Sequence, residues 1–241
     1  MSVPAATARP QPLLLGHRGA SAHAPENTLR AFRRALALGA AGIECDIQRT
    51  ADGALVIIHD DAVDRTTNGT GVVGELSYAA LAALDAGDGE RIPTLDETLR
   101  WATDATASGR APFLNLELKM PGTGPDTLAA LTRAGYDGPL ALSSFDYPSL
   151  EETRRLNGAV ELWLLSPRFT TELLAQARAI GAICLDLWHS AITDEVAARC
   201  AEAGLGLVAW TVNEQVDARC LRALGPVLQG LIGNYPERLG E

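Results

Sequence analysis

Eight apolar runs of strand length alternate with helical stretches, glycine recurs just past the helices, and 241 residues with 47% hydrophobic content supply a large core. Together these predict an α/β fold of the (β/α)₈, or TIM-barrel, class, with parallel strands inside and helices outside. The strands are expected at 13–17, 42–48, 113–119, 140–145, 160–165, 183–187, 205–211 and 227–233. Helices are expected at 28–38, 94–106, 126–134, 148–156, 171–180, 194–203 and 214–224. Gly39, Gly181, Gly204 and Gly225 stand at the ends of four of them, where a helix stop calls for glycine. One domain over residues 1–241 is expected, with a small insertion at about 60–92 after the second strand. In this fold the reactive groups sit at the C-terminal ends of the strands.

The first strand ends in Gly16-His17-Arg18-Gly19, and the loop after it carries Pro25-Glu26-Asn27-Thr28. Asn27 or Thr28 could cap the next helix or take a positioning role, and the sequence leaves both readings open. The second strand runs into a hairpin, because Asp52-Gly53 favours a two-residue turn and apolar runs flank it. That turn would put Ala51 opposite Ala54 and Asp46 opposite His59, with Glu44 on the same face. Polar residues on a hairpin usually face solvent; here two carboxylates and an imidazole converge at the end of a barrel strand.

Residues 60–92 interrupt the alternation with Asp64-Arg65-Thr66-Thr67-Asn68-Gly69-Thr70-Gly71 and a short helix at 77–84. A connection this long at a strand's C-terminal end is usually functional, and a small cap over the barrel mouth is expected. The Thr/Gly run lacks the spacing of a nucleotide loop, so a turn cluster is the plainer reading.

In Asn115-Leu116-Glu117-Leu118-Lys119, period-two alternation directs Asn115, Glu117 and Lys119 inward. Lys119 is the only lysine among the 20 Lys and Arg residues, which points to a role that arginine does not fill. Later strands end near Phe145, Trp188 and Trp210, of which Trp210 best suits a substrate wall; His189 reads as a loop histidine.

A net charge of -10 argues against a nucleic-acid partner and against docking on an anionic membrane. No run of 18 apolar residues exists and residues 1–12 lack an apolar signal core, so no stable membrane insertion and a cytoplasmic location are expected. Cys45, Cys184, Cys200 and Cys220 show no paired spacing and are expected as buried free thiols. The sequence carries no indication of oligomeric state.

Glu44, Asp46 and Glu117 offer an all-oxygen site suited to Mg²⁺, Ca²⁺ or Mn²⁺. His17 and His59 can act as acid and base near neutral pH, while Arg18 and Lys119 offset an anionic substrate. Such a set suits phosphoester cleavage.

The ordered motifs Gly16-His17-Arg18-Gly19, Pro25-Glu26-Asn27-Thr28, Ile43-Glu44-Cys45-Asp46, Ile58-His59-Asp60, Asp64-Arg65-Thr66-Thr67, Ile92-Pro93-Thr94-Leu95, Glu117-Leu118-Lys119 and Asn234-Tyr235-Pro236 resemble those of glycerophosphodiester phosphodiesterases over nearly the whole chain. The resemblance implies a metal-dependent TIM-barrel enzyme that hydrolyses glycerophosphodiesters, small molecules, to an alcohol and sn-glycerol 3-phosphate. It implies His17 and His59 as the acid/base pair and Glu44, Asp46 and Glu117 as ligands of Mg²⁺ or Ca²⁺, with Mn²⁺ also suited. Arg18 and Lys119 would hold the phosphate, and Phe145 and Trp210 would bound the glycerol. One departure is Gly233-Asn234 where the family often has Thr-Asp, a lost carboxylate that touches none of the ligands. Whether the glycerol 2-hydroxyl or water attacks stays open. So do two other readings: a phosphodiesterase for lysophospholipids or inositol phosphodiesters, which calls for an apolar groove, and a non-catalytic binding protein, which has no need of the histidines.

Overall fold

The computed structural model describes Arg9 and residues 11–240; residues 1–8 and 10, part of the stretch read for targeting signals, lie outside the described residues, as does Glu241. Eight parallel strands close into a barrel: β1 (Leu13–His17), β2 (Gly42–Arg49), β4 (Phe113–Leu118), β5 (Leu140–Ser144), β6 (Leu162–Ser166), β7 (Cys184–Trp188), β8 (Gly206–Trp210) and β9 (Leu228–Gly233). A ninth strand, β3 (Leu55–Ile57), pairs antiparallel with β2 on one side, and the β1–β2 pairing closes the ring. The helices α1 (Leu29–Ala37), α3 (Leu95–Ala107), α4 (Thr123–Ala134), α5 (Tyr147–Leu156), α6 (Thr171–Ala179), α7 (Asp194–Glu202) and α8 (Gln215–Arg222) follow the strands as expected. Between β3 and α3 lies the short helix α2 (Tyr78–Ala82).

Helix α4 begins before the expected residue 126, because Pro125 falls in its first turn. There a missing N–H removes no hydrogen bond, so proline is tolerated. Phe145 lies one residue past β5 and Lys119 one past β4, so both project from strand ends.

The hairpin differs in register. Arg49 pairs with Leu55, Gln48 with Val56 and Ile47 with Ile57, so Asp46 meets Ile58, not His59. The cause is the turn: Thr50 N–H donates to the Ala54 carbonyl at 2.9 Å, the Thr50 hydroxyl accepts from Ala54 N–H, and Gly53 takes φ 83. This is a three-residue loop with glycine in the left-handed position, in place of the two-residue turn.

The barrel interior divides along its axis. Leu15, Phe113, Ala141, Trp163, Val208 and Ile232 form an apolar plug, with Phe113 and Trp163 stacked at 5.4 Å between centroids. Trp163 is therefore packing. A larger apolar layer joins the outer strand faces to the helices. Residues 60–92 have their own cluster, in which Val63, Val73 and Leu81 pack with Val56, Ile58 and Ile92. Val63, Val73, Leu81 and Ile92 are buried there while Val72 is exposed, and the Thr/Gly run is a self-bonded turn cluster in which Gly69 N–H donates to Thr67 Oγ1 and Gly71 N–H to Asp64. Cys45, Cys184 and Cys200 are buried free thiols, but Cys220 is exposed, since α8 turns Ala218 and Leu221 inward instead. Among the described residues, no helix is long and apolar enough to cross a membrane.

Candidate active site

Parallel register places the acidic residues side by side at the C-terminal rim: Glu44 pairs with His17 and Asn115, and Asp46 with Glu117. Glu44, Asp46 and Glu117 each offer a carboxylate oxygen, all within 4.8 Å of one another, and all three residues are buried. Each has one donor. Arg18 backbone N–H donates to Glu44 Oε2 at 3.0 Å, Asn27 Nδ2 to Asp46 Oδ2 at 2.8 Å, and Lys119 Nζ to Glu117 Oε1 at 2.9 Å. Arg18 and Asn27 take φ 55 and 57, left-handed conformations that aim these groups. Thr28 caps α1, so of the two roles left open for this pair, Thr28 takes the cap and Asn27 the contact with Asp46.

Three carboxyls this close oppose one another's ionisation. Burial, then the charges of Asp46 and Glu117, push Glu44 well above the usual range. Burial and then Asp46 push Glu117 up to about 7. Burial disfavours charge on Lys119 and on Arg18, yet the carboxylates around them outweigh it and raise both. Asp46 Oδ1 is buried with no hydrogen-bond partner among the described residues, and Lys119 Nζ stands 3.6 Å away. An oxygen-only donor set with a free ligand atom and mutual repulsion is what a hard divalent cation fits.

The histidines approach this cluster with defined tautomers. His17 Nδ1 lies 2.7 Å from Asn234 Oδ1, and an amide oxygen only accepts. Nδ1 therefore carries the hydrogen and Nε2, 3.9 Å from Glu44 Oε2, the lone pair. Burial and then Arg18 lower the His17 pKa to about 4. His59 Nδ1 lies 2.6 Å from Asp60 Oδ1, and Arg65 donates to the same carboxylate, Nε to Oδ2 and Nη2 to Oδ1. Those bonds hold the Asp60 carboxyl below the usual range. Arg65 in turn makes two bonds to Glu26, at 2.8 and 2.9 Å, and Glu26 accepts from Arg18 at 2.8 Å. Burial opposes ionised Glu26, but Arg65 and Arg18 prevail and lower it to about 2. Gln48 Nε2 donates to the carbonyls of Ile58, His59 and Asp60 at 3.2, 2.9 and 2.7 Å, fixing the backbone that presents His59.

A cavity of about 160 Å³ opens here, lined by the polar His17, Arg18, Glu44, His59, Glu117 and Asp186 and by Phe145, Leu165, Trp210 and Ile232. Trp210 meets Phe145 and Trp188 edge-to-face at 5.5 and 5.2 Å, an aromatic rim in which Phe145 is 46% exposed. Asp186 is buried, and burial and then the Glu117 charge raise its pKa well above the usual range. All nine residues singled out from sequence thus gather at one end of the barrel. Seven line the cavity, and Asp46 and Lys119 adjoin it through Glu117.

Sequence reasoning passed over Gln48, Asp60, Arg65, Asn234 and Asp186. Asp60 and Arg65 stood in quoted motifs and could have been found there. Asn234, noted as a departure that touches none of the metal ligands, does make a polar contact: its Oδ1 holds His17 and also accepts from the Ser21 hydroxyl at 3.0 Å.

Residues 17–238 match the sequence profile of the Glycerophosphoryl diester phosphodiesterase family. A glycerophosphodiester phosphodiesterase of Caldanaerobacter subterraneus subsp. tengcongensis is 35% identical over 239 residues, spanning 94% of this chain and 96% of the relative. An Oleispira antarctica phosphodiesterase, solved in complex with the product sn-glycerol-3-phosphate, has a TM-score of 0.85 at 30% identity over 95% of each chain. The glycerophosphodiester phosphodiesterase of Thermotoga maritima has a TM-score of 0.78 at 25% identity, over 94% of this chain and 96% of its own.

Proposed function

The chain belongs to the glycerophosphoryl diester phosphodiesterase family, and on that premise we propose that it hydrolyses glycerophosphodiesters to an alcohol and sn-glycerol 3-phosphate with a bound divalent cation and two histidines. The observation that carries the reading is the convergence of His17 and His59 on the same cavity as Glu44 and Glu117. Glu44, Asp46 and Glu117 would hold Mg²⁺ or Ca²⁺, with Mn²⁺ equally suited to oxygen donors. When bound, the ion supplies charge stabilisation to the phosphoryl oxygens.

The two histidines take different parts. His17 bonds a neutral amide and sits beside Arg18, so its Nε2 keeps a lone pair at neutral pH and serves as base. It removes the proton from the attacking oxygen as that oxygen bonds to phosphorus. His59 serves as acid: Asp60, at 2.6 Å, faces the positive charge that the ring carries until it gives its proton to the leaving alkoxide. The phosphorus–oxygen bond to the leaving group then breaks, and proton transfer with solvent returns both rings to their starting states, His17 losing a proton and His59 gaining one. Arg18 and Lys119 stabilise negative charge growing on the phosphoryl oxygens. Phe145 and Trp210 supply the apolar wall against which the glycerol carbons lie.

In this reading the chain acts as one domain, with residues 60–92 as a cap whose Arg65 ties His59's partner Asp60 to Arg18's partner Glu26. The substrate is a small diester and the setting the cytoplasm; the inward-packed apolar residues of the cap support this over an acyl-chain groove. His17→Ala and His59→Ala should each lower turnover of a glycerophosphodiester by about 100-fold or more, the usual size of a lost acid or base. Both variants within tenfold of wild type, with unchanged melting temperature, would remove the acid/base assignment.

A further inference from the structure

Asp186 stands in β7 with 0% exposure, and neither carboxyl oxygen has a hydrogen-bond partner among the described residues. The other two carboxylates on the cavity wall are engaged: Glu44 accepts from Arg18 N–H and Glu117 from Lys119 Nζ. Strand pairing with Leu165 on one side and Val208 on the other fixes its backbone, and Trp210 Nε1 donates to its carbonyl at 3.2 Å. Asp186 is one of the residues that line the cavity, together with the apolar Phe145, Leu165, Trp210 and Ile232. A buried carboxyl without a partner is costly, and such groups in a folded protein call for a ligand or a functional reason. Asp186 is not among the residues whose oxygens cluster for a cation.

Cavity size narrows the ligand. At about 160 Å³ the cavity is on the scale of a small polar molecule such as a three-carbon polyol. Apolar walls suit the carbon edges of such a molecule, and one acid among them suits a hydroxyl. Resting on the glycerophosphodiester reading above, we propose that Asp186 determines specificity by hydrogen-bonding a hydroxyl of the substrate's glycerol. A diester without that hydroxyl leaves the acid buried and unpaired, and a site built in this way rejects the analogue strongly.

The test compares wild type, Asp186→Asn and Asp186→Leu on a glycerophosphodiester and on the matching diesters of 1,2-propanediol and 1,3-propanediol, each lacking one hydroxyl. Binding of sn-glycerol 3-phosphate and of the two propanediol phosphates is measured in parallel by calorimetry, which requires no turnover. Wild type should prefer the glycerol compound over one of the two analogues by about 10- to 100-fold, the range for a lost buried hydrogen bond. Asp186→Leu should bring that ratio to within threefold of unity, in both kcat/KM and binding, while Asp186→Asn, still able to bond a hydroxyl, keeps most of it. A ratio unchanged in Asp186→Leu overturns the assignment, as does a loss of equal size on all three compounds. If Asp186→Leu proves unfolded by melting, the Asn variant decides: a preference kept in Asp186→Asn supports the contact, and its loss with the fold intact, or indifference to all three compounds in wild type, overturns it. Wild-type protein that binds the glycerol compound selectively yet cleaves no diester would refute the proposed activity and leave this assignment standing.

Discussion

Acidification below pH 7 should weaken metal binding steeply. Glu117 is pushed up to about 7 from 4.5, so an ion that needs its carboxylate must displace a proton at mildly acid pH. Each pH unit below 7 then costs about 1.4 kcal/mol for one displaced proton. At pH 5.5 the penalty is about 2 kcal/mol, or roughly 30-fold in apparent Kd. Glu44, also raised, adds to it in the same direction.

Stability follows with a sign that can be checked. In the metal-free protein the folded pKa of Glu117 exceeds its unfolded value, so its contribution is complete below 4.5 and is lost as pH rises through 7. His17, lowered from 6.5 to about 4, acts oppositely: its contribution is present above 6.5 and is lost as pH falls toward 4. Saturating metal keeps Glu117 ionised and leaves the His17 trend alone. The metal-induced rise in Tm should therefore be smaller at pH 5.5 than at 7.5 by about 4–8 °C, given roughly 2–4 °C per kcal/mol at this chain length. Calorimetric titrations with Mg²⁺, Ca²⁺ and Mn²⁺ in two buffers of different ionisation enthalpy read the proton release directly. A Kd constant within threefold from pH 7.5 to 5.5, with no proton released, would refute the argument.

Two further variants probe the cations and the histidine partner. Lys119→Met at pH 8, where Glu117 is ionised, should raise KM while metal affinity is kept or increased, because a cation 3.6 Å from Asp46 is removed; Lys119→Arg should rescue kcat/KM poorly, and near wild-type values would reduce Lys119 to charge balance. Asn234→Asp puts a carboxylate against His17 Nδ1 and should move the acid limb of the kcat/KM profile to higher pH by about one unit or more, so an unmoved limb would show that His17 is not the base it reports.

The barrel was legible because its signal is periodic. Apolar runs such as Leu13–His17 and Phe113–Leu118 lie within one or two residues of the observed strands, and strand-end chemistry followed from the fold. His59 shows where local reasoning fails. Asp52-Gly53 reads as a two-residue turn, but the Thr50 hydroxyl closes a longer loop and shifts the register by one. His59 still reaches the cavity because Gln48, opposite Val56, gathers three successive carbonyls beyond the strand. Asn234 and Asp186 were invisible for a different reason. One contacts His17 from 217 residues away, across the pairing of β1 with β9, and the other differs from a surface acid only in what surrounds it.

The central claim is a cation-dependent hydrolysis at Glu44, Asp46 and Glu117. The most direct measurement follows release of sn-glycerol 3-phosphate from a glycerophosphodiester by protein that has been chelated and dialysed, then supplied with Mg²⁺, Ca²⁺ or Mn²⁺ in turn, beside Glu117→Gln. Product formation should be absent after chelation, return with at least one of the ions, and return only at much higher ion concentration in the variant. Undiminished release in excess chelator would contradict the account.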